Sequence, residues 1–289
     1  MNNPLVSVLM TAYNREKYIA EAIESVIAST YQNWELIIVD DGSKDSTVEI
    51  ARSYEVKDER IKVYINEKNL GDYPNRNKAA SYAKGKYLKY LDADDMLYPH
   101  GLQIMADAME KLPEAALGIS RPDDDLKPYP YILDPKESIK IHFEKSLFTN
   151  APTSTIIRKD IFNKVNGFSG TQYIGDTELW LKIGSKYPVV IFVRGLTWWR
   201  GHEDQQIKQE EHKIEPIINR YNLAVNTITN FNYFTLTQKQ YYLKKEKKNL
   251  ARRLLSITLR KKEINTLLTV KKATDLNIKF FFSALFKRN

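Results

Sequence analysis

The 289-residue chain contains no cysteine. Structural disulfides, thiolate zinc sites, iron–sulfur clusters and cysteine nucleophiles are therefore excluded. Its 4 histidines leave little for a multi-histidine metal centre. No apolar run approaches the roughly 18 residues of a membrane-spanning helix. Met1-Asn-Asn-Pro4 supplies no basic segment ahead of the short run Leu5–Met10, so no secretory signal is read and the expected location is cytoplasmic. Glycine-rich phosphate loops are missing as well. Neither G-x-G-x-x-G nor G-x-x-x-x-G-K-[ST] follows any strand-like run, which argues against a dinucleotide oxidoreductase or a P-loop NTPase.

What remains is ordinary globular composition, with 43% hydrophobic and 28% charged residues, fitting one large α/β domain with appendages or two lobes. The net charge of +8 is unevenly spread. Residues 239–289 hold 15 Lys/Arg against 3 Asp/Glu, a net of +12, and residues 1–238 hold 29 against 33, a net of −4. A slightly acidic body does not grip nucleic acid, so the basic tail has a task of its own.

The first hundred residues alternate strand and helix. Leu5–Met10, Trp34–Val39, Ile61–Ile65 and Tyr87–Leu91 are short β-prone runs, with a polar loop from Thr11 to Glu16. Between them Ile19, Ala22, Ile23, Val26 and Ile27 recur at helical spacing, and further helices are expected near 46–54 and 73–83. This alternation predicts right-handed βαβ units and a mostly parallel sheet with helices on both faces. Later, helices are expected over about 99–111, 135–144, 159–165 and 176–186, strands over 153–157 and 189–193, and a Pro/Asp-rich crossing loop over 118–135. From about Glu203 the pattern is helical and increasingly basic.

In such sheets ligands gather beyond the carboxyl ends of the strands. Two acidic clusters fall there. Leu91-Asp92-Ala-Asp94-Asp95 places three carboxylates within four residues, a set that repels itself unless a cation neutralises it. Hard oxygen donors suit Mg²⁺ or Mn²⁺, usually held by one or two carboxylates plus substrate phosphates. A helix N-terminal acidic cluster is the alternative. Val39-Asp40-Asp41-Gly42-Ser43 offers a carboxylate to a ribose hydroxyl or a base N–H, or simply an Asp/Gly turn.

In order along the chain, Pro4-Leu-Val-Ser-Val-Leu-Met-Thr-Ala-Tyr-Asn14, Val39-Asp-Asp-Gly-Ser43 with Asp45, Asn69-Leu-Gly71 with Asn75-Arg-Asn77, Ala83-Lys-Gly85 and Leu91-Asp-Ala-Asp-Asp95 resemble the motifs of family 2 glycosyltransferases. The likeness covers about the first 100 residues and continues more loosely to about residue 205. It implies a GT-A fold, an inverting mechanism, a UDP-linked or other nucleotide-sugar donor and Mn²⁺ or Mg²⁺. Carried over by position, Thr11 and Tyr13 match the loop that packs on the base. Asp41 matches the aspartate that reads base or ribose, and Arg76 lies in the segment that closes on the nucleotide. Asp92 and Asp94 form the D-x-D pair, with Asp94 the direct metal ligand. Asp95 is assigned to donor sugar or metal surroundings. Gly175-Asp176-Thr-Glu178-Leu-Trp180 is similar to the family's G-[DE]-D-x-x-L-W stretch, with Gly175 in place of the usual first acid. Asp176 is then the expected general base and Glu178 the second candidate. His202, after Trp198-Trp199-Arg200-Gly201, is a candidate metal ligand, and Trp199 a candidate sugar contact while one of the two tryptophans packs inside.

These readings give a nucleotide-sugar half over 1–97, an acceptor half over 98–205 and a basic helical extension over 206–289. In the extension, Leu243, Leu250, Leu254 and Ile257 form an apolar stripe among lysines and arginines, and Phe280–Phe282 with Leu285 and Phe286 lie among basic residues. Basic amphipathic helices suit an anionic membrane surface, so attachment to the inner face of the plasma membrane is expected, next to a glycan or lipid-linked acceptor. The missing membrane spans and Q-x-x-R-W signature favour transfer of a single sugar. A nucleotidyltransferase is the enzymatic alternative, although Thr11–Arg15 offers one basic residue and no glycine. A non-catalytic nucleotide-sugar-binding protein of the same fold is the other.

Overall fold

Strand-like apolar runs, if parallel and covered on both sides, should be buried throughout, and Val6–Ala12 (β1) and Trp34–Asp40 (β2) are almost entirely so. The computed structural model describes residues 3–120, 127–202 and 213–261. After β1 come α1 (Ile19–Ile27), β2, α2 (Thr47–Glu55), β3 (Ile61–Ile65), α3 (Asp72–Tyr82), β4 (Tyr87–Tyr90), β5 (Met96–Leu97) and α4 (Gly101–Lys111). Then follow β6 (Leu117–Ser120), β7 (Tyr131–Leu133), α5 (Pro135–Lys145), a 3₁₀ turn (Pro152–Ser154), β8 (Thr155–Arg158), α6 (Lys159–Lys164), α7 (Gly175–Gly184), β9 (Val189–Phe192), β10 (Thr197–Trp198), α8 (Glu215–Asn230) and α9 (Leu236–Lys261).

Eight strands form one sheet in the order β3-β2-β1-β4-β8-β6-β9-β7. β1 runs parallel to β2 and β4, with Val8 opposite Leu36 and Lys89. β3 joins β2 in parallel, so the carboxyl ends of these four strands open on one edge. β8 reverses direction beside β4 and β6, and β7 beside β9. Helices cover the sheet through apolar stripes: α1 buries Ile19, Ala22, Ile23 and Val26 at the i, i+3, i+4, i+7 spacing. α5 starts with a capping box, in which the Asp134 carboxylate accepts from Glu137 N–H and the Glu137 carboxylate accepts from Asp134 N–H.

Several expectations change. Thr11 lies inside β1 rather than in a loop, because β1 extends to Ala12 beside Asp40. The stretch expected as a loop over 118–135 contains the end of β6 and all of β7. The strand expected from Thr153 starts at Thr155, since Pro152 opens a 3₁₀ turn. The expected halves 1–97 and 98–205 share the one sheet, with β4 directly beside β8.

The chain divides into a unit of residues 1–171 with 175–201 and a second of 172–174 with 202–289. Within the second, α8 and α9 pack together through Tyr221, Leu250, Ala251 and Leu254, with Ile214, Ile217 and Val225 against them. Leu250 and Leu254 are thus core residues of this helix pair and Ile257 is buried, which corrects their reading as a membrane-facing stripe. The Phe280–Phe286 segment lies outside the described residues. Among the described residues no helix is long and apolar enough to cross a membrane.

Candidate active site

β4 ends in the core, and the chain turns sharply there: Asp95 N–H donates to Asp92 carbonyl at 2.9 Å, folding Asp92–Asp95 into one turn. Two arginines converge on it. Arg76, from α3, is buried and donates from Nη1 to Asp92 Oδ1 and from Nε to Asp72 Oδ1, each at 2.7 Å. Although burial opposes its charge, Asp72 and Asp92 hold Arg76 protonated well above the ordinary range. Arg15, just past β1, donates from Nε to Asp94 Oδ2 at 3.0 Å. Arg200 approaches from beyond β10, its N–H on Asp95 Oδ1 at 3.0 Å and its Nε on the Asp94 carbonyl at 2.9 Å.

Beneath this turn sit two buried titratable groups. Burial and the neighbouring Asp92 carboxylate push Asp95 up to about 7, with Asp94 adding to the shift against the Thr153 hydroxyl and Arg200 N–H. Its Oδ2 is buried with no hydrogen bond of ordinary geometry. Lys89, in mid-strand and fully buried, is pulled down to about 7 by desolvation despite the attraction of Asp92 and Asp95. Its ammonium donates to the carbonyls of Tyr90 and Thr153. Thr153 in turn accepts from Asp92 N–H at 3.1 Å, so Lys89, Thr153 and Asp92 form one chain of contacts.

At the end of β2 the two aspartates divide their work. Asp40 accepts from the backbone of Gly42 and Ser43, each at 2.9 Å, and closes the turn. Asp41 is buried and accepts from Asn66 Nδ2 and Leu70 N–H at 2.8 Å and from Gly71 N–H at 2.9 Å. It therefore ties the 66–71 loop to the sheet. Tyr13 is 45% exposed at the mouth of the same edge.

Asp176 lies in the first turn of α7, where its Oδ1 accepts from Thr177 N–H at 2.6 Å. The Tyr73 phenol, from the first turn of α3, faces it. Glu178 is bonded to the Ser169 hydroxyl. Neither Trp198, 41% exposed, nor Trp199, 53% exposed, is a core residue, which corrects the expectation that one packs inside; Trp198 lies under the Arg200 guanidinium at 4.8 Å. His202 opens the second unit and is half-buried there.

A cation's fit follows from this donor set. Asp92, Asp94 and Asp95 present hard carboxylate oxygens in one turn, and one buried oxygen of Asp95 lacks an ordinary partner. Among the described residues, however, no group of three or more acidic, His or Cys side chains is arranged to enclose a metal. A Mg²⁺- or Mn²⁺-like ion here would complete its shell with substrate phosphates, which is how these ions are usually bound.

Residues 7–166 match the profile of the family Glycosyl transferase family 2. The chain belongs to that family. It is 40% identical over 111 residues to UDP-Glc:alpha-D-GlcNAc-diphosphoundecaprenol beta-1,3-glucosyltransferase WfgD of Escherichia coli, a match covering 38% of this chain and 43% of WfgD. Other curated relatives match over 34–39% of their own lengths, so the chain spans well under half of them. Among solved structures, TarS 1–349 of S. aureus superposes with a TM-score of 0.69 at 20% identity, over 97% of this chain and 81% of that 1–349 chain. The mannosyltransferase PcManGT of Pyrobaculum calidifontis, solved with GDP-Man and Mn²⁺, gives a TM-score of 0.63 at 15% identity, over 99% of this chain and 84% of its own. The fold is GT-A, as the family's members suggested.

Within this family fold, the structure brings Arg76, Asp92, Asp94 and Asp95 to one turn and gathers Arg15, Arg200, Thr153 and Lys89 around them. Sequence reasoning gave no site role to Arg15, Thr153 or Lys89, and reached Arg200 only as the basic residue that the family resemblance places ahead of His202. Lys89 carried a usable signal, a lone lysine inside an otherwise apolar strand. Thr153 carried none, because only the antiparallel return of β8 brings it to β4, and the place of Arg200 beside Asp94 and Asp95 depends on the β5/β10 pairing.

Proposed function

We propose that the chain is an inverting glycosyltransferase that moves one sugar from a nucleoside diphosphate sugar, UDP-linked by preference, to a glycan or lipid-linked saccharide. The observation that carries this is the Asp92–Asp95 turn at the carboxyl end of β4, held by Arg76, Arg15 and Arg200. Thr11, Tyr13 and Asp41 line the nucleotide side, with Asp41 fixing the 66–71 loop against which a base would rest. Asp94, with Asp92 beside it, would hold a divalent cation. Such an ion supplies stabilisation of charge on the departing diphosphate.

Asp176 then acts as general base. It takes the proton from the acceptor hydroxyl; the freed oxygen attacks the anomeric carbon from the face opposite the phosphate. The bond from that carbon to the phosphate oxygen breaks, and the diphosphate leaves with its electron pair. Glu178 is placed to shape the acceptor side through the 169–171 loop, and exposed Trp199 offers a face to a sugar ring. Support for the donor class comes from PcManGT and TarS, solved with GDP-Man and with UDP-GlcNAc, and support for the acceptor class from WfgD, named for a diphosphoundecaprenol-linked sugar.

A thermal-shift screen of UDP-, GDP- and dTDP-sugars with Mn²⁺ identifies the donor. Asp94→Asn is expected to remove Mn²⁺-dependent UDP binding in calorimetry, and unchanged affinity would refute the cation assignment. Asp176→Asn is expected to bind donor normally and lose about 10²–10⁴-fold in transfer. Wild-type turnover in that variant would overturn the base assignment. The basic extension is proposed to hold the protein at an anionic membrane by charge.

A further inference from the structure

Gly175 stands where the family's stretch usually carries an acid, and the structure gives the reason. A Cβ built on Gly175 would lie 2.7–2.8 Å from three carbons of the Tyr73 ring, so position 175 has no room for any side chain. The ring is also stacked on Phe168, with centroids 5.4 Å apart. Tyr73 is buried, and the Asp176 backbone N–H is directed at its hydroxyl. Burial, then the Asp176 and Asp72 carboxylates, push the phenol far above its usual ionisation, while Arg76 works weakly the other way. The hydroxyl consequently stays neutral and serves as the acceptor of the Asp176 N–H, next to that carboxylate.

We propose that Tyr73 is the positioning residue of Asp176: its ring fills the space that a side chain at 175 would need, and its hydroxyl fixes the turn that aims the Asp176 carboxylate. This rests on Asp176 being the general base. The pairing also joins the start of α3, which carries Arg76 and the donor side, to the start of α7, which carries the base. Donor closure and base placement then share one contact.

Tyr73→Phe retains the ring and removes only the hydroxyl. The Asp176 carboxyl titration is followed by ¹³C NMR, its signal assigned by its loss in Asp176→Asn. Its midpoint is expected to rise in Tyr73→Phe, because the Asp176 N–H loses its acceptor and the turn that keeps Thr177 N–H on the carboxylate loosens. With Mn²⁺ and whichever of UDP-glucose, UDP-N-acetylglucosamine and GDP-mannose the wild-type protein turns over fastest, kcat is expected to fall about tenfold with KM for the donor unchanged. Gly175→Ala, which drives a methyl into the ring, is expected to give the same two effects. An unmoved midpoint and an unchanged kcat in Tyr73→Phe, alongside an inactive Asp176→Asn, would overturn the positioning role and leave the base intact. An active Asp176→Asn would overturn both.

Discussion

Arg76 shows how three aspartates can share one turn. It meets Asp92, and Asp72 of α3, from a buried position, while Arg15 meets Asp94 nearer to solvent, and Asp95 is eased instead by its raised ionisation, up to about 7. Lys89 adds a third cation below, at a cost. In the folded chain it titrates at about 7, against about 10.4 for an unfolded lysine. Below pH 7 both states hold the proton, and the full burial penalty applies. Between about 7 and 10.4 the unfolded chain keeps a proton that the native chain has released, so stability rises with pH, by about 1.4 kcal/mol per unit at the steepest. Urea denaturation of the metal-free protein at pH 7, 8 and 9 should show that rise and Lys89→Met should lack it; equal slopes would refute the buried-lysine assignment. The lone lysine was visible in the sequence. Its partners, two carbonyls from β4 and from the 3₁₀ turn, were not, since backbone acceptors leave no residue-type signature.

At the scale of elements, what the sequence revealed depended on length and apolarity. β1, β2, β3 and β4 are runs of β-branched and aromatic residues bounded by turn residues, and the helices between them keep a 3.6 period, so all were legible. β5 and β10 are two residues each, and β6 contains a glycine; such pieces exist only because a partner strand is already in place. Gly118 in β6 illustrates this. A Cβ there would collide with the Phe192 ring on β9 and come 2.9 Å from Ile156 on β8. Overpacking a filled core costs about 1–3 kcal/mol, so Gly118→Ala should lower the unfolding free energy by that amount, read as a lower urea midpoint at unchanged m-value. At the opposite sign of local design, Asp134→Ala removes the α5 capping box and should cost about 1 kcal/mol in the same measurement. The Tyr73–Gly175 fit belongs here too: both residues were in view, but only tertiary packing places the ring against position 175.

At the scale of the whole molecule, the net charge of +8 is a sum of two opposed parts, and the structure separates them further. Residues 239–261 carry 9 Lys/Arg against 1 Asp/Glu, and all of them lie on α9. The apolar side of α9 is spent on α8, through Leu250, Ala251 and Leu254, while Lys244, Arg252 and Arg253 are exposed. A helix so packed can meet a membrane through charge, while Leu250, Ala251 and Leu254 are held by α8 and are not there to insert. Each basic residue near an anionic surface contributes about 1 kcal/mol, and the Debye length shrinks from about 10 Å at 0.1 M salt to about 3 Å at 1 M. A chain ending at Lys261 keeps the α8–α9 pair, whereas a cut before Lys239 would remove the partner of α8 and expose its core. The 1–261 chain should therefore sediment with phosphatidylglycerol vesicles at 50 mM salt and be released at 0.5 M. Failure to bind at low salt would remove the charge-based attachment, and retention at 0.5 M would show that apolar insertion, which the packing of α9 argues against, holds it there.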